Sequence, residues 1–250
     1  MTPEVEMAPE PQPAGMSEAA RLVGVFFEPT KTFEDVAERP RFWVPLILVL
    51  TLALVYLFLF SQHVGWERML RQQFESSSRS TQLSPEQRDM QMQMGLKFAS
   101  VGAYVGILIG MPVGYLIWAA ILLGIVKGIL SAPVRFKQVY AAICYAGMPG
   151  LLMTILAIVV MYLKSPDDFN IQNPLVFNPG AMLEKATTSK FIYSLASALD
   201  IFRLWTLVLV GLGLKAAGGK KLSMGGAMGA VFVPWALWTL IAALLAGLLG

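Results

Sequence analysis

The sequence predicts an all-α membrane protein, a bundle of five transmembrane helices with an N-terminal interfacial amphipathic segment and a helical first extracytoplasmic loop. Two observations predict it. Apolar stretches at Trp43–Phe60, Phe98–Val126, Val139–Leu163, Phe191–Leu214 and Met228–Leu249 alternate with charged loops, and each is about long enough to cross a hydrocarbon core, which takes ~20 helical residues. Composition agrees: 56% of the 250 residues are hydrophobic and only 14% charged, against ~25% charged in an average soluble domain, and the mean hydropathy is +0.62.

The chain divides into three parts. Residues 1–17 hold Pro3, Pro9, Pro11 and Pro13 among glutamates, a composition that cannot build a core and predicts disorder. Residues 18–42 place Leu22, Val23, Phe26 and Phe27 on one helical face that ends before Pro29, and Phe33, Val36 and Ala37 on a second. An amphipathic pair of this kind either lies in the cytoplasmic interface or packs under the bundle. Leu22, Phe26, Phe27 and Phe33 are therefore the candidate lipid- or partner-binding face. Residues 43–250 form the membrane domain.

Trp43 and Pro45 suit the start of the first span, one as a headgroup-level aromatic and the other because proline is tolerated in a first helical turn. The loop Ser61–Lys97 is too long for a turn, and Ser84-Pro85-Glu86-Gln87 has the pattern of a capping box with proline at the first helical position. A small helical hairpin outside the membrane is expected there. Asp167 to Pro179 is rich in proline, asparagine and aspartate and reads as irregular structure ordered against that hairpin. Lys127, Arg135 and Lys137 in the second loop, and Lys215, Lys220 and Lys221 in the fourth, stand without acidic neighbours. The positive-inside rule then places the N-terminus inside and the C-terminus outside. The opening residues lack the order of a signal peptide, so the first span is expected to direct insertion.

Three constellations lie within the spans. Gly102, Gly106, Gly110 and Gly114 recur every four residues and form a flat stripe suited to close helix approach, either within the bundle or in a homodimer. Pro112, Pro149 and Pro234 are candidate helix kinks, and Gly-Met-Pro occurs both at Gly110–Pro112 and at Gly147–Pro149. Asp200 and Arg203 are an intramembrane polar pair: on a helix running through the fourth stretch they share one face near its middle, where each can neutralise the other. A structural clasp and a ligand, ion or proton role both fit them.

Enzyme chemistry finds little support. His63 is the sole histidine and Cys144 the sole cysteine, which leaves no catalytic, cofactor-binding or metal-binding residue set to name. The Gly218–Lys221 turn follows a membrane helix rather than a strand, so it reads as a basic turn and not a phosphate loop. Basic residues flank spans instead of forming a stripe, so no nucleic-acid partner is expected.

Several segments together resemble a known family. Glu28-Pro29-Thr30-Lys31-Thr32-Phe33 with Arg39-Pro40 and Trp43-Val44-Pro45 resembles the opening segment of bacterial Yip-domain proteins. Phe136-Lys137-Gln138-Val139-Tyr140 with Tyr145-Ala146-Gly147-Met148-Pro149 is similar to that family's third span, and Asp200–Trp205 leading to Gly211-Leu212-Gly213 to its fourth. The resemblance runs from about Ala19 to the C-terminus. It implies a five-span bundle with a cytoplasmic N-terminus and no catalytic residues, with Asp200, Trp205, Gly211 and Gly213 as family-pattern positions. Eukaryotic relatives interact with Rab GTPases and act in vesicle trafficking. This chain lacks their Asp-Leu-Tyr-Gly-Pro motif, so the resemblance implies a bacterial branch in the cytoplasmic (inner) membrane. The expected function is a non-enzymatic protein organising membrane or protein partners, its partners being lipids, a membrane or cytoplasmic protein, or a second copy of itself. The alternative is a small transporter or channel using Asp200 and Arg203 near kinked helices.

Overall fold

The computed structural model describes residues 15–75, 84–169, 173–184 and 187–249; of the expected disordered segment, residues 1–14 lie outside them. Two short helices come first. α1 (Glu18–Phe27) is capped by Ser17, whose Oγ accepts the Ala20 N–H at 3.1 Å, and α2 (Pro29–Glu38) begins on a proline. The first span is α3 (Trp43–His63). Outside it, α4 (Trp66–Glu75) and the start of α5 (Pro85–Val105) form the expected hairpin, with Leu70 against Gly95; its connection at residues 76–83 is not described. The Ser84/Gln87 capping box is formed as the sequence predicts. Asp167 of the third loop is held to α4 by Arg68 at 2.7 Å and by Gln72, which donates to its carbonyl at 3.2 Å.

The second span is longer than its apolar stretch. α5 runs through a π-helical turn (Gly106–Gly110) into α6 (Met111–Leu123) and a second π turn (Gly124–Ile129). The third comprises α7 (Phe136–Ala146) and α8 (Met148–Leu163). After the short 3₁₀ turn Pro179–Met182 come α9 (Lys190–Ala198), α10 (Ile201–Gly218) and α11 (Met224–Leu249). Among the described residues, five helical stretches are long and apolar enough to cross a membrane: Trp43–His63, Pro85–Ile129, Phe136–Leu163, Ile201–Lys221 and Met224–Leu248.

The three prolines sit in different settings. Pro112 has no N–H to give, and the π turn just before it takes up the mismatch, with the Met111 N–H reaching back to Gly106 O. Pro149 lies in the first turn of α8, just after Gly147 separates α7 from α8. Pro234 sits inside α11, which continues through it. Both Gly-Met-Pro repeats thus mark a departure from α geometry.

The larger of two buried clusters lies at one end of the bundle, and a smaller one of Phe60, Val64, Met161 and Phe169 lies toward the other. In α7 every residue from Gln138 to Ala146 is buried, packed with Val25, Phe33 and Val36 of the N-terminal hairpin, Leu122 and Val126 of the second span, and Leu209, Val210 and Leu214 of α10. Elsewhere the spans turn large apolar residues outward, as a surface solvated by lipid requires. The glycine stripe belongs to that outer surface. Gly102, Gly106, Gly110 and Gly114 are exposed, and a Cβ added at any of them would meet nothing within 4 Å. Among the described residues, therefore, the stripe is not used for close packing within the chain, the first expected use.

Candidate functional site

Two places gather polar chemistry, at different depths of the bundle. The first is the N-terminal hairpin. Arg21 is almost wholly enclosed, at 1% exposure, a state that a charge tolerates only with good partners. Its Nε donates to Asp35 Oδ2 at 2.5 Å and its Nη1 to Glu18 Oε1 at 3.3 Å. Arg39 also pairs with Asp35, the Met16 N–H donates to Asp35 at 3.0 Å, and Arg41 approaches Glu18 at 3.8 Å. Tyr145 of α7 donates its hydroxyl to Glu18. Gln138 of α7 donates to Ala37 O at 2.8 Å, tying α2 to the same helix. The two carboxylates thus fasten α1 to α2, and the hairpin to the bundle.

Apolar contacts complete the docking. Phe33 is 1% exposed against Gly213 of α10, and Phe26 meets Trp205 edge-on at 5.7 Å. This corrects the candidate binding face: Phe33 is core, and Leu22 and Phe26 pack against the core. Only Phe27 of that set points away, at 80% exposure. It continues a line of exposed apolar residues on α1, Ala19, Val23 and Phe27, spaced one helical turn apart. The outer face of α2 is polar instead, with Lys31, Glu34 and Glu38 exposed. The hairpin therefore shows an apolar side and a charged side.

The second place is a break in the fourth apolar stretch, which is not one helix. α9 ends at Ala198 and α10 begins at Ile201, with Asp200 between them as an N-cap. The Asp200 carboxylate accepts the N–H groups of Phe202 at 2.9 Å and Arg203 at 3.2 Å, satisfying donors that a helix start leaves open. The mutual neutralisation expected of Asp200 and Arg203 is not formed: Asp200 is 7% exposed and spends its carboxylate on the backbone, while the Arg203 side chain is exposed with no ion-pair partner among the described residues. Asx-type capping competes with a continuous helix at such a position, which periodicity alone does not show.

Two cavities flank this break, of about 480 Å³ between α9 and α11 and about 270 Å³ beside α8. Arg203 and Ser197 line both. Gly150 and Met153 of α8 and Trp238 and Thr239 of α11 lie around them, so the break is level with the interior of its neighbours rather than their ends. Discontinuous helices at such a level are where membrane proteins place ligands. Ser197 Oγ is buried without a hydrogen-bond partner.

The isolated reactive residues stay apart. Cys144 is buried in α7, and His63 stacks on Tyr162 near the far end of α8, ring centroids 4.5 Å apart. The length of α8, ~24 Å at 1.5 Å per residue, separates these neighbourhoods.

The arrangement of a docked hairpin, five apolar helical stretches and a capped fourth span is matched along the chain by a family model, the Yip1 domain, which covers residues 23–248. The chain belongs to the Yip1 domain family. Neither the curated proteins nor the solved structures compared with it give a match. The Yip1 domain match begins inside α1, after Glu18 and Arg21, and takes in the rest of the hairpin with Asp35 and the break in the fourth stretch. Three features of this Yip-family chain escape a reading of the sequence: the Arg21 clasp, the orphan hydroxyl of Ser197 and the close approach at Gly213. One signal was available for the first, because Arg21 stands one turn before Val25 on the face that also carries Gly24.

Proposed function

We propose that this Yip-family protein is a non-enzymatic organiser of membrane or protein partners, and that the α1–α2 hairpin is its working surface. The two-sidedness of the hairpin carries the reading. Ala19, Val23 and Phe27 would enter the lipid interface while Lys31, Glu34 and Glu38 face water, and the Arg21 clasp holds that wedge rigidly to the spans. Arg135 of the second loop shares a small pocket with Ala37 and Glu38, so this basic residue lies at the hairpin end of the bundle. That supports a cytoplasmic hairpin, with the C-terminus outside, in the cytoplasmic membrane of a bacterium.

A photoreactive amino acid at Phe27, activated in native membranes, tests it. Adducts with lipid, or with one defined protein, are expected at Phe27 and not at Lys31 on the opposite side. Equal labelling at the two positions would remove the hairpin as an organising surface.

A small transporter or channel is the second reading, favoured by the helix break beside two cavities. It requires water at that depth. Single cysteines from Leu199 to Leu207 in a Cys144→Ala background would then react with a membrane-impermeant thiol reagent in intact vesicles, and protection throughout would end this reading.

A further inference from the structure

We propose that the broken fourth span holds a phosphate-bearing anion at Arg203, in the cavity between α9 and α11. The hairpin plays no part in this site. Three observations meet there. The first is the unmatched cation: Arg203 has no ion-pair partner among the described residues, and it lies level with Trp238 and Thr239 inside a helix whose neighbours are apolar. A charge at such a level requires a counter-charge or a wet, polar cavity. Asp200, the nearest carboxylate in sequence, lines the smaller cavity, forms no ion pair with Arg203 and gives its Oδ1 to the first N–H groups of α10.

The second is the orphan donor. Ser197 Oγ is buried against Gly180 without a hydrogen-bond partner, in a residue that lines both cavities with Arg203. A turn about its Cα–Cβ bond is what would bring it to a bound anion. A guanidinium with a hydroxyl donor suits the several oxygens of a phosphate, which accept in a fork geometry.

The third is the shape and lining. Lys190, Ser194, Ser197 and Ala198 come from one side of α9, and Trp238 and Ala242 face them from α11. Positions 190, 194, 197 and 198 recur at one-turn spacing, so the helix offers a largely polar strip with a second cation at its beginning. The opposite wall is mostly apolar, with Thr239 its one hydroxyl among the described residues. About 480 Å³ is room for a headgroup and the first part of a chain. Phosphate with an apolar tail matches both walls, as in an anionic phospholipid; a free phosphate would use the polar wall alone.

The test uses the full chain purified in a neutral detergent. Its thermal midpoint is followed on adding phosphatidylglycerol, a neutral glycolipid with the same acyl chains, or inorganic phosphate. Phosphatidylglycerol is expected to raise the midpoint where the glycolipid does not, with Arg203→Gln weakening the response about tenfold or more and Arg203→Lys keeping part of it. A response to inorganic phosphate that also depends on Arg203 would identify a soluble anion as the source, and silence there would identify the lipid. Because the Arg203 side chain is exposed and unpartnered, its substitution leaves the bundle intact, which an unchanged midpoint without additive verifies. The site is overturned if Arg203→Gln responds as the original protein does, or if neither phosphate source shifts the midpoint.

Discussion

Arg21 shows how a single residue sets the character of the hairpin. An arginine at 1% exposure with Glu18 and Asp35 against it is costly to desolvate, and the two carboxylates and their further donors offset that cost. Removing Arg21 strips both carboxylates of their buried partner and leaves them the more exposed Arg39 and Arg41, a loss of at most about 3–5 kcal/mol, the cost of an uncompensated buried charge. Arg21→Met is therefore expected to release the hairpin. Limited trypsin digestion would then cut between α2 and α3 at Arg41, where the original protein resists; the Arg39–Pro40 bond is not a substrate. Unchanged resistance would mean that apolar packing alone holds α1 and α2. Thr32 illustrates the opposite case: its Oγ1 is buried against Gly24 with no partner and adds nothing that a methyl group would not.

At the level of elements, α10 organises the buried end of the molecule. Gly213 is where α7 and α2 come closest to it: a Cβ there would lie 2.5 Å from the Ala142 Cβ and 3.1 Å from the Phe33 ring. Both neighbours are fixed in the core. At Gly211 the nearest atoms belong to Met228, a flexible side chain that can move aside. Gly213→Ala is thus expected to destabilise by about 1–3 kcal/mol, read as a lowered thermal midpoint in detergent, with Gly211→Ala costing clearly less. Equal effects would contradict this account of the helix approach. The glycines of the second span behave differently because no described residue comes within 4 Å of a Cβ added at any of them. Their spacing states only that a backbone is bare along one line; which surface meets that line is a matter of where the helix sits.

The molecule as a whole has two ends with separate chemistry. The hairpin clasp joins α1, α2, α7 and the later part of α10, whereas the cavities surround the beginning of α10. From Arg203 to Gly213 is ten residues, ~15 Å along the helix, so a ligand at the break and a partner at the hairpin would act through one rigid element. Such coupling is a property of packing and has no sequence signature.

Much of the architecture follows from residue order alone. The number of spans, their approximate limits, the capping box at Ser84, the helical first loop and the family pattern are local or periodic features, and apolar run length is enough to read them because lipid leaves the backbone few alternatives. What a side chain meets is another matter. Only the folded chain decides that Phe33 is core while Phe27 is surface, that the stripe from Gly102 to Gly114 faces outward, and that Asp200 caps a helix instead of pairing with Arg203. Helical spacing assigns residues to a common face, but the same face can meet lipid, a neighbouring helix or a cavity. That choice rests on contacts between residues distant in sequence, such as Glu18 with Tyr145 or Ala37 with Gln138, which no local pattern encodes.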